Sequence, residues 1–333
     1  MIEFHSKTAN NSWLLAAKTI QDGVRVERQD SRVGRTDELL HVILAIEEPR
    51  QRWVVARRPP MNPAFAIAET VWIINGRNDS RFLNFWNRKL PEFAGGGSSY
   101  HGAYGFRIRK SYEVDQLERA YLTLRKNPDS RQVLLTIWDP RLDSPNTKGN
   151  PASADIPCNI VSLLKLRKDK LHWTQIMRSN DIFRGLPYNV VQFTTLQEVL
   201  AGWLDVELGV YNHYADSLHM YKSDGKNIID EKCKQEKNTD SLALSKKDSL
   251  ARFRELAEKI ERLIDPQLSK SELYRIRIWK KANIAHINLL LVVLAEAARR
   301  KGWLNIAEEI MADCTNPQLD QMWSSWYKER TGG

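Results

Sequence analysis

The sequence predicts an α/β (α+β) fold, strands packed with helices and followed by a helical C-terminal region. Three observations predict it. Apolar residues recur at helical spacing in Phe65, Ala68, Val71 and Trp72, and again in Val190, Phe193, Leu196, Val199, Leu200 and Trp203. Between these helices lie short strand-like runs, Val133 to Trp138, Val161 to Leu166 and Leu171 to Ile176. Beyond residue 249 the segments Leu250 to Ile264, Ala282 to Arg300 and Ile306 to Met311 read as helices.

Taken in order, residues 12 to 58 begin helix-like and continue through the strand-like runs Leu39 to Ile46 and Trp53 to Ala56. Pro59-Pro60 and Pro63 punctuate the entry to the helix that carries Glu69 beside its buried face. Gly95-Gly96-Gly97-Ser98-Ser99 is a flexible turn and not a phosphate loop, because no Gly-Lys-Ser/Thr follows. The charged turn Arg167-Lys168-Asp169-Lys170 joins Val161–Leu166 to its hairpin partner. Asn189 opens the helix to Leu204, placed either to cap it or to contact a substrate. Residues 222 to 248 are polar and rich in Lys, Asp and Ser, which predicts an exposed or mobile connection. The expected organisation is therefore a core at 1–221, a connection at 222–248 and a helical region at 249–333.

The 333 residues, 42% hydrophobic and 27% charged, have the composition of a soluble globular protein. The N-terminal segment has no signal-peptide pattern and the longest apolar run, Leu289 to Ala295, is too short to span a bilayer, so the expected setting is cytoplasmic. Cys158, Cys233 and Cys314 lie far apart without metal-ligand spacing, which supports neither a disulfide framework nor a zinc site. The net charge of +9 suits an anionic partner, but the basic residues are dispersed. A nucleotide accounts for part of that charge, and a nucleic acid is not required.

The chemistry concentrates in two stretches, Asp155-Ile156-Pro157-Cys158-Asn159 and Arg178-Ser179-Asn180-Asp181 running into Gly185-Leu186-Pro187-Tyr188-Asn189. A lone cysteine is ordinarily a buried hydrophobe. An arginine nearby favours its thiolate and can also grip a phosphate, so one cation serves binding and activation.

These motifs, with Asp216-Ser217-Leu218-His219-Met220-Tyr221 downstream and Arg32-Val33-Gly34, Glu69-Thr70-Val71-Trp72, Gly102-Ala103-Tyr104-Gly105 and Asp129-Ser130-Arg131 upstream, resemble the thymidylate synthase family in its own order, over roughly residues 25 to 221. The resemblance implies a homodimer of folate-dependent transferases acting on a pyrimidine nucleoside monophosphate, with 5,10-methylenetetrahydrofolate as co-substrate and no metal. It implies that Cys158 adds to C6 of the base, that Glu69 organises waters for proton movement, and that Tyr104 assists loss of the C5 proton. Arg32, Arg131 and Arg178 match the phosphate clamp, with Arg131 reaching across from the partner subunit, and Ser179 is a further substrate-binding residue. His219 and Tyr221, two residues apart on a strand and so on one face, match the contacts to the sugar 3′-hydroxyl. Asp181 and Gly185 match the folate site.

Asn189 can donate to O4 and accept from N3–H, which matches uracil. Departures from the family pattern fall at Gln132, Asn159, Met177, Leu90 and the polar end Thr331-Gly332-Gly333. Leu90 stands where a tryptophan is usual, so water is expected to reach the late intermediate, which favours a hydroxymethyl over a methyl product. Reductive methylation to thymidylate is the alternative, and a paralogue that binds nucleotide or nucleic acid without turnover is the second.

Overall fold

The computed structural model describes residues 1–31, 34–225 and 228–332. The chain opens with β1 (Ile2–Ser6), α1 (Ala9–Asp22), β2 (Glu27–Ser31) and β3 (Gly34–Ile46). Six helices and a strand follow: α2 (Pro63–Ile74), α3 (Ser80–Asn84), α4 (Leu90–Ala94), α5 (Tyr104–Arg109), α6 (Gln116–Lys126), β4 (Leu134–Thr136) and α7 (Pro140–Asp143). The centre of the sheet comes next, in β5 (Asn159–Arg167), β6 (Lys170–Met177), β7 (Asn180–Asp181), α8 (Leu186–Leu204) and β8 (Glu207–Tyr221). Helices α9 (Lys246–Leu263), α10 (Lys270–Arg277), α11 (Ile284–Arg300), α12 (Leu304–Met311) and α13 (Pro317–Thr331) complete the described chain.

The strands form one mixed sheet in the order β1-β3-β8-β6-β5-β4, with β2 added on β3 and β7 on β8. Strand β8 is antiparallel to β3 and parallel to β6. Alternation along β5, β6 and β8 sends Leu164, Trp173, Tyr211 and Leu218 into a core closed by α1 and α8. The opposite face, with Leu163, Thr174, Ile176, Val210 and Tyr214, is half-buried. The β5–β6 hairpin forms as expected: Arg167 pairs with Lys170, and Lys168 and Asp169 both take positive φ, the geometry a tight two-residue turn requires.

Helix α2 starts at Pro63 because Asn62 accepts a hydrogen bond from the Phe65 amide (3.1 Å) and proline needs no donor there. Its burial is nearly all-round, since α8 lies on one side and α9, α11 and α13 on others. Helices α10 and α13 were not expected from the sequence. Their apolar residues are few, yet Leu273, Ile276, Leu319, Met322 and Trp323 are buried.

Three expectations are corrected. Trp53 to Ala56 is buried but is not a strand, because the amides of Val55 and Ala56 donate to the Asn10 side chain (3.0 and 2.9 Å) instead of a neighbouring strand. Helix α8 begins at Leu186, so Asn189 lies one turn inside it and caps nothing; Gly185 occupies the cap position. Within the expected connection at 222–248, residues 228–245 are irregular but not merely exposed: Ile228 and Leu242 are buried, and Asn238 bonds to Gln51 and to the Arg50 carbonyl. Polar side chains there replace the ladder that the backbone lacks.

Glu198 on α8 ties that connection to the core. Its carboxylate is buried, takes Arg52 and Arg50 (2.7 Å to Arg50) and accepts from the Leu242 amide (3.1 Å). Burial pushes its pKa up, but the two arginines outweigh this and hold it below the ordinary value. Glu198→Ala strands Arg52 inside the protein, which is expected to cost about 3–5 kcal/mol in urea unfolding, whereas an exposed pair would cost less than about 1 kcal/mol.

Candidate active site

The antiparallel partners β5 and β6 bring Cys158 and Arg178 together at their common end, where the Arg178 amide donates to the Cys158 carbonyl (2.9 Å). The guanidinium donates to the carbonyls of Pro157 (3.1 Å) and Ile156 (3.2 Å), and Nη2 reaches Cys158 Sγ at 3.9 Å. Three contacts to one loop hold the cation beside the sulfur. Burial pushes the thiol pKa up, Arg178 pulls it down, and Asp155 and Asp181 add to the rise. The half-buried thiol is thus poised only by its arginine.

Tyr104 and Glu69 approach from the helical side. Gly105 lets α5 touch α2, because a Cβ there would come within 2.2 Å of the Ile73 carbonyl oxygen. The Gly102 amide donates to Asp155 (2.7 Å), tying the Tyr104 segment to the cysteine loop. The Tyr104 phenol has its pKa raised by burial and next by Cys158, with Asn159 at its hydroxyl. Glu69 is pushed up to about 7 by burial, against the hydrogen bond that Gln192 donates to it. A carboxyl group near neutrality can both take and give a proton.

Asn189 stands in the middle of a buried chain of side chains. Asn180 Nδ2 donates to Asn189 Oδ1 (2.9 Å), Asn189 Nδ2 donates to Gln192 Oε1 (3.1 Å), and Gln192 Nε2 donates to Glu69 (2.6 Å). On the other side His213 Nε2 meets Asn180 Oδ1 at 2.7 Å, and its Nδ1 meets the Tyr211 hydroxyl at 3.0 Å. Burial lowers the His213 pKa to about 3, so the ring is neutral. Gly185 leaves room for this contact, since a Cβ there would sit 3.0 Å from Asn180 Nδ2.

On β8, His219 and Tyr221 share a face with their rings edge to face at 5.3 Å, and Ser179 Oγ lies 3.4 Å from His219 Nδ1. Asp181 accepts through Oδ1 from the amides of Phe183 (2.7 Å) and Arg184, while its buried Oδ2 has no partner among the described residues. Burial pushes this carboxyl up to about 6. Arg131 is exposed on the loop before β4. Arg32 lies outside the described residues.

A cavity of about 800 Å³ opens beside the Asp181 segment. Phe65, Trp86, Phe93, Phe183, Tyr188 and Trp326 give it flat apolar walls, and Arg184, Arg299, Arg300 and Arg330, with the buried Arg57, line it beside the acidic Glu92 and Asp224. Leu90 is half-buried and is not among the residues that line this cavity. Trp326 and Arg330 come from α13, so a helix near the C-terminal end walls the cavity that Gly332-Gly333 was expected to leave open. Asp224 pairs with Arg184 (3.0 Å to Nε), and the guanidinium lies over Tyr221 (4.8 Å) and Phe93 (5.5 Å). Asp181 lies next to the lining residue Phe183 but is not itself on the cavity wall; the aromatic walls fit the flat rings of a reduced pterin, and the lining arginines fit carboxylates.

Sequence reasoning missed Asn180, Gln192, His213, Trp86 and the α13 residues. For Asn180 a signal existed, since it lies inside the Arg-Ser-x-Asp motif at its variable position. The remainder meet only through the fold.

A thymidylate synthase domain model matches residues 34–263. The chain is 34% identical over 204 residues to the deoxyuridylate hydroxymethyltransferase of Bacillus phage SP01, covering 58% of this chain and 52% of that protein. It is 30% identical over 219 residues to the enzyme of the same description from Pseudomonas phage M6, covering 65% and 61%. It is 25% identical over 166 residues to the thymidylate synthase of Buchnera aphidicola, covering 48% and 60%. The chain thus spans between half and two thirds of the length of these relatives. No helix among the described residues is long and apolar enough to cross a membrane. With more than two thirds of its length matched by this model, a range that includes the Cys158 and Arg178 segments, the chain belongs to the thymidylate synthase family.

Proposed function

We propose that the protein transfers a one-carbon unit from methylenetetrahydrofolate to C5 of a uracil nucleoside monophosphate, leaving a hydroxymethyl group. The observation that carries the reading is Cys158 Sγ held 3.9 Å from the Arg178 guanidinium. C5 of uracil is too weak a nucleophile on its own. Addition of the Cys158 thiolate at C6 turns C4–C5 into an enolate, and the electron pair at C5 then forms the new carbon bond. Asn189 donates to O4 as negative charge grows there. Arg178 compensates the phosphate, His219 and Tyr221 hold the sugar, and Tyr104 with Glu69 removes the C5 proton and passes it to solvent. The folate supplies the one-carbon unit, with Asp181 and the aromatic walls as its holders.

After the amine leaves, the base carries an exocyclic methylene open to hydride or to water. Two observations support water. The Arg184–Asp224 pair puts charge into the wall of the folate cavity, and charged groups retain water where an apolar wall would expel it. The phage relatives are described as deoxyuridylate hydroxymethyltransferases. Attack of hydroxide equivalent at the methylene, with release of the Cys158 thiolate from C6, gives the product and restores the free thiol.

The active unit in this reading is a homodimer, formed on the half-buried sheet face that carries Leu163, Ile176, Val210 and Tyr214. Arg131, and Arg32 by its resemblance, complete the phosphate site, Arg131 from the partner. Residues 1–221 carry the chemistry, 222–248 bind the two regions together, and the helices after 249 wall the folate cavity. The experiment is exchange of the C5 proton of deoxyuridylate with solvent, which needs the C6 adduct. Exchange above the uncatalysed rate is expected; its absence in folded protein that binds deoxyuridylate would support the binding paralogue.

A further inference from the structure

An amide side chain is nearly symmetric in shape but not in chemistry, so which base Asn189 accepts depends on which way it points. With Oδ1 and Nδ2 each already making one bond, it offers one more lone pair and one more N–H. Those complement N3–H and O4 of uracil in one orientation, and N3 and the exocyclic amine of cytosine in the other.

The orientation is decided from both ends of the buried chain. At one end Gln192 Nε2 lies 2.6 Å from a Glu69 carboxyl oxygen and donates to it, which turns Oε1 toward Asn189. At the other end neutral His213 has one N–H. The buried Tyr211 hydroxyl lies 3.0 Å from His213 Nδ1, and donating there is what satisfies its own O–H among the described residues, an arrangement that leaves the ring proton on Nε2. Nε2–H then donates to Asn180 Oδ1 (2.7 Å), and Asn180 Nδ2 donates to Asn189 Oδ1 (2.9 Å). Every donor in the chain points the same way, from Tyr211 to Glu69. Reversing one amide sets N–H against N–H inside the core, and reversing all of them needs a proton on Glu69 and the other histidine tautomer.

We infer that Asn180 and His213 are positioning residues that set the polarity of Asn189 and so commit the site to uracil over cytosine. The inference rests on the proposed reading that Asn189 faces the base. It accounts for an asparagine, a histidine and a tyrosine buried where apolar side chains would cost less.

The test inverts the chain at both ends and reads binding, since Glu69 belongs to the chemistry. In Asn180→Asp the carboxylate can share a proton with Glu69, either end can hold it, and the preference for dUMP over dCMP falls toward unity. Adding Glu69→Gln places an acceptor at position 180 and permits a donor at position 69. The double variant is expected to bind dCMP about 10-fold or more tightly than dUMP by calorimetry, against the opposite ratio in the wild type. A merely structural role would weaken both nucleotides together. If the double variant keeps the dUMP preference while Asn189→Asp gains dCMP, the inference falls and the reading of Asn189 stands. If Asn189→Asp also keeps the wild-type ratio, Asn189 does not face the base and the reading itself falls. A wild-type measurement needs no variant to fold: nitrogen-15 spectra of His213 are expected to show the neutral Nε2–H tautomer at pH 7, and the Nδ1–H tautomer would overturn the inference.

Discussion

Cys158→Ala is expected to abolish both turnover and C5-proton exchange while leaving nucleotide binding within about 3-fold of wild type. The loss should reach at least about 10⁴-fold, because removing the nucleophile deletes the covalent route rather than weakening it. Binding survives because the groups proposed to hold phosphate and sugar, Arg178, Ser179, His219 and Tyr221, are anchored without the sulfur. Arg178 is held by the carbonyls of Pro157 and Ile156, and His219 by its place on β8. The sulfur itself is set against its own surroundings. Burial and the carboxylates of Asp155 and Asp181 oppose the thiolate, and Arg178 favours it. Nucleotide binding and exchange measured on the same preparation check the prediction; residual exchange in the alanine variant would remove Cys158 from the mechanism.

The second large effect is between subunits. Arg131→Ala and Cys158→Ala homodimers should each be inactive or nearly so. Mixing them with confirmed subunit exchange should restore activity, because one of the two sites in the heterodimer then has both a thiol and the partner's arginine. Statistical mixing makes half of the dimers hybrid, each with one complete site, so about a quarter of wild-type activity is expected per mixed sample. Arg131 is exposed in its own chain, while the sheet face with Leu163 and Tyr214 is half-buried and available to a second copy. No recovery after exchange would place Arg131 in its own site or in none.

Local signals made much of this legible. The β5–β6 hairpin followed from two apolar runs and a charged turn, and α2 and α8 from apolar spacing. Cys158 and Arg178, twenty residues apart, meet because the hairpin folds them back. What stayed hidden depends on tertiary contacts. Trp53 to Ala56 has strand-like residues, but its amides bond to Asn10, a partner that no local pattern announces. Helix α13 has Trp323 and Trp326 spaced among polar residues, too sparse a stripe to stand out, and gains its burial by packing on α2. The chain from Tyr211 to Glu69 draws on β7, β8, α8 and α2. Its polar residues read singly as ordinary strand and helix positions, and only the fold aligns their donors.

The Arg184–Asp224 pair gives the account its sharpest consequence, because it places charge where closure against water would select a methyl product. The most direct measurement is the product formed from deoxyuridylate and methylenetetrahydrofolate by the wild-type chain, with nucleotide identified by mass spectrometry and folate by absorbance. The account predicts 5-hydroxymethyldeoxyuridylate with tetrahydrofolate regenerated and no dihydrofolate. Thymidylate formed with stoichiometric dihydrofolate would contradict it, and would assign to Trp326, Arg330 and the helices around them the exclusion of water from the intermediate.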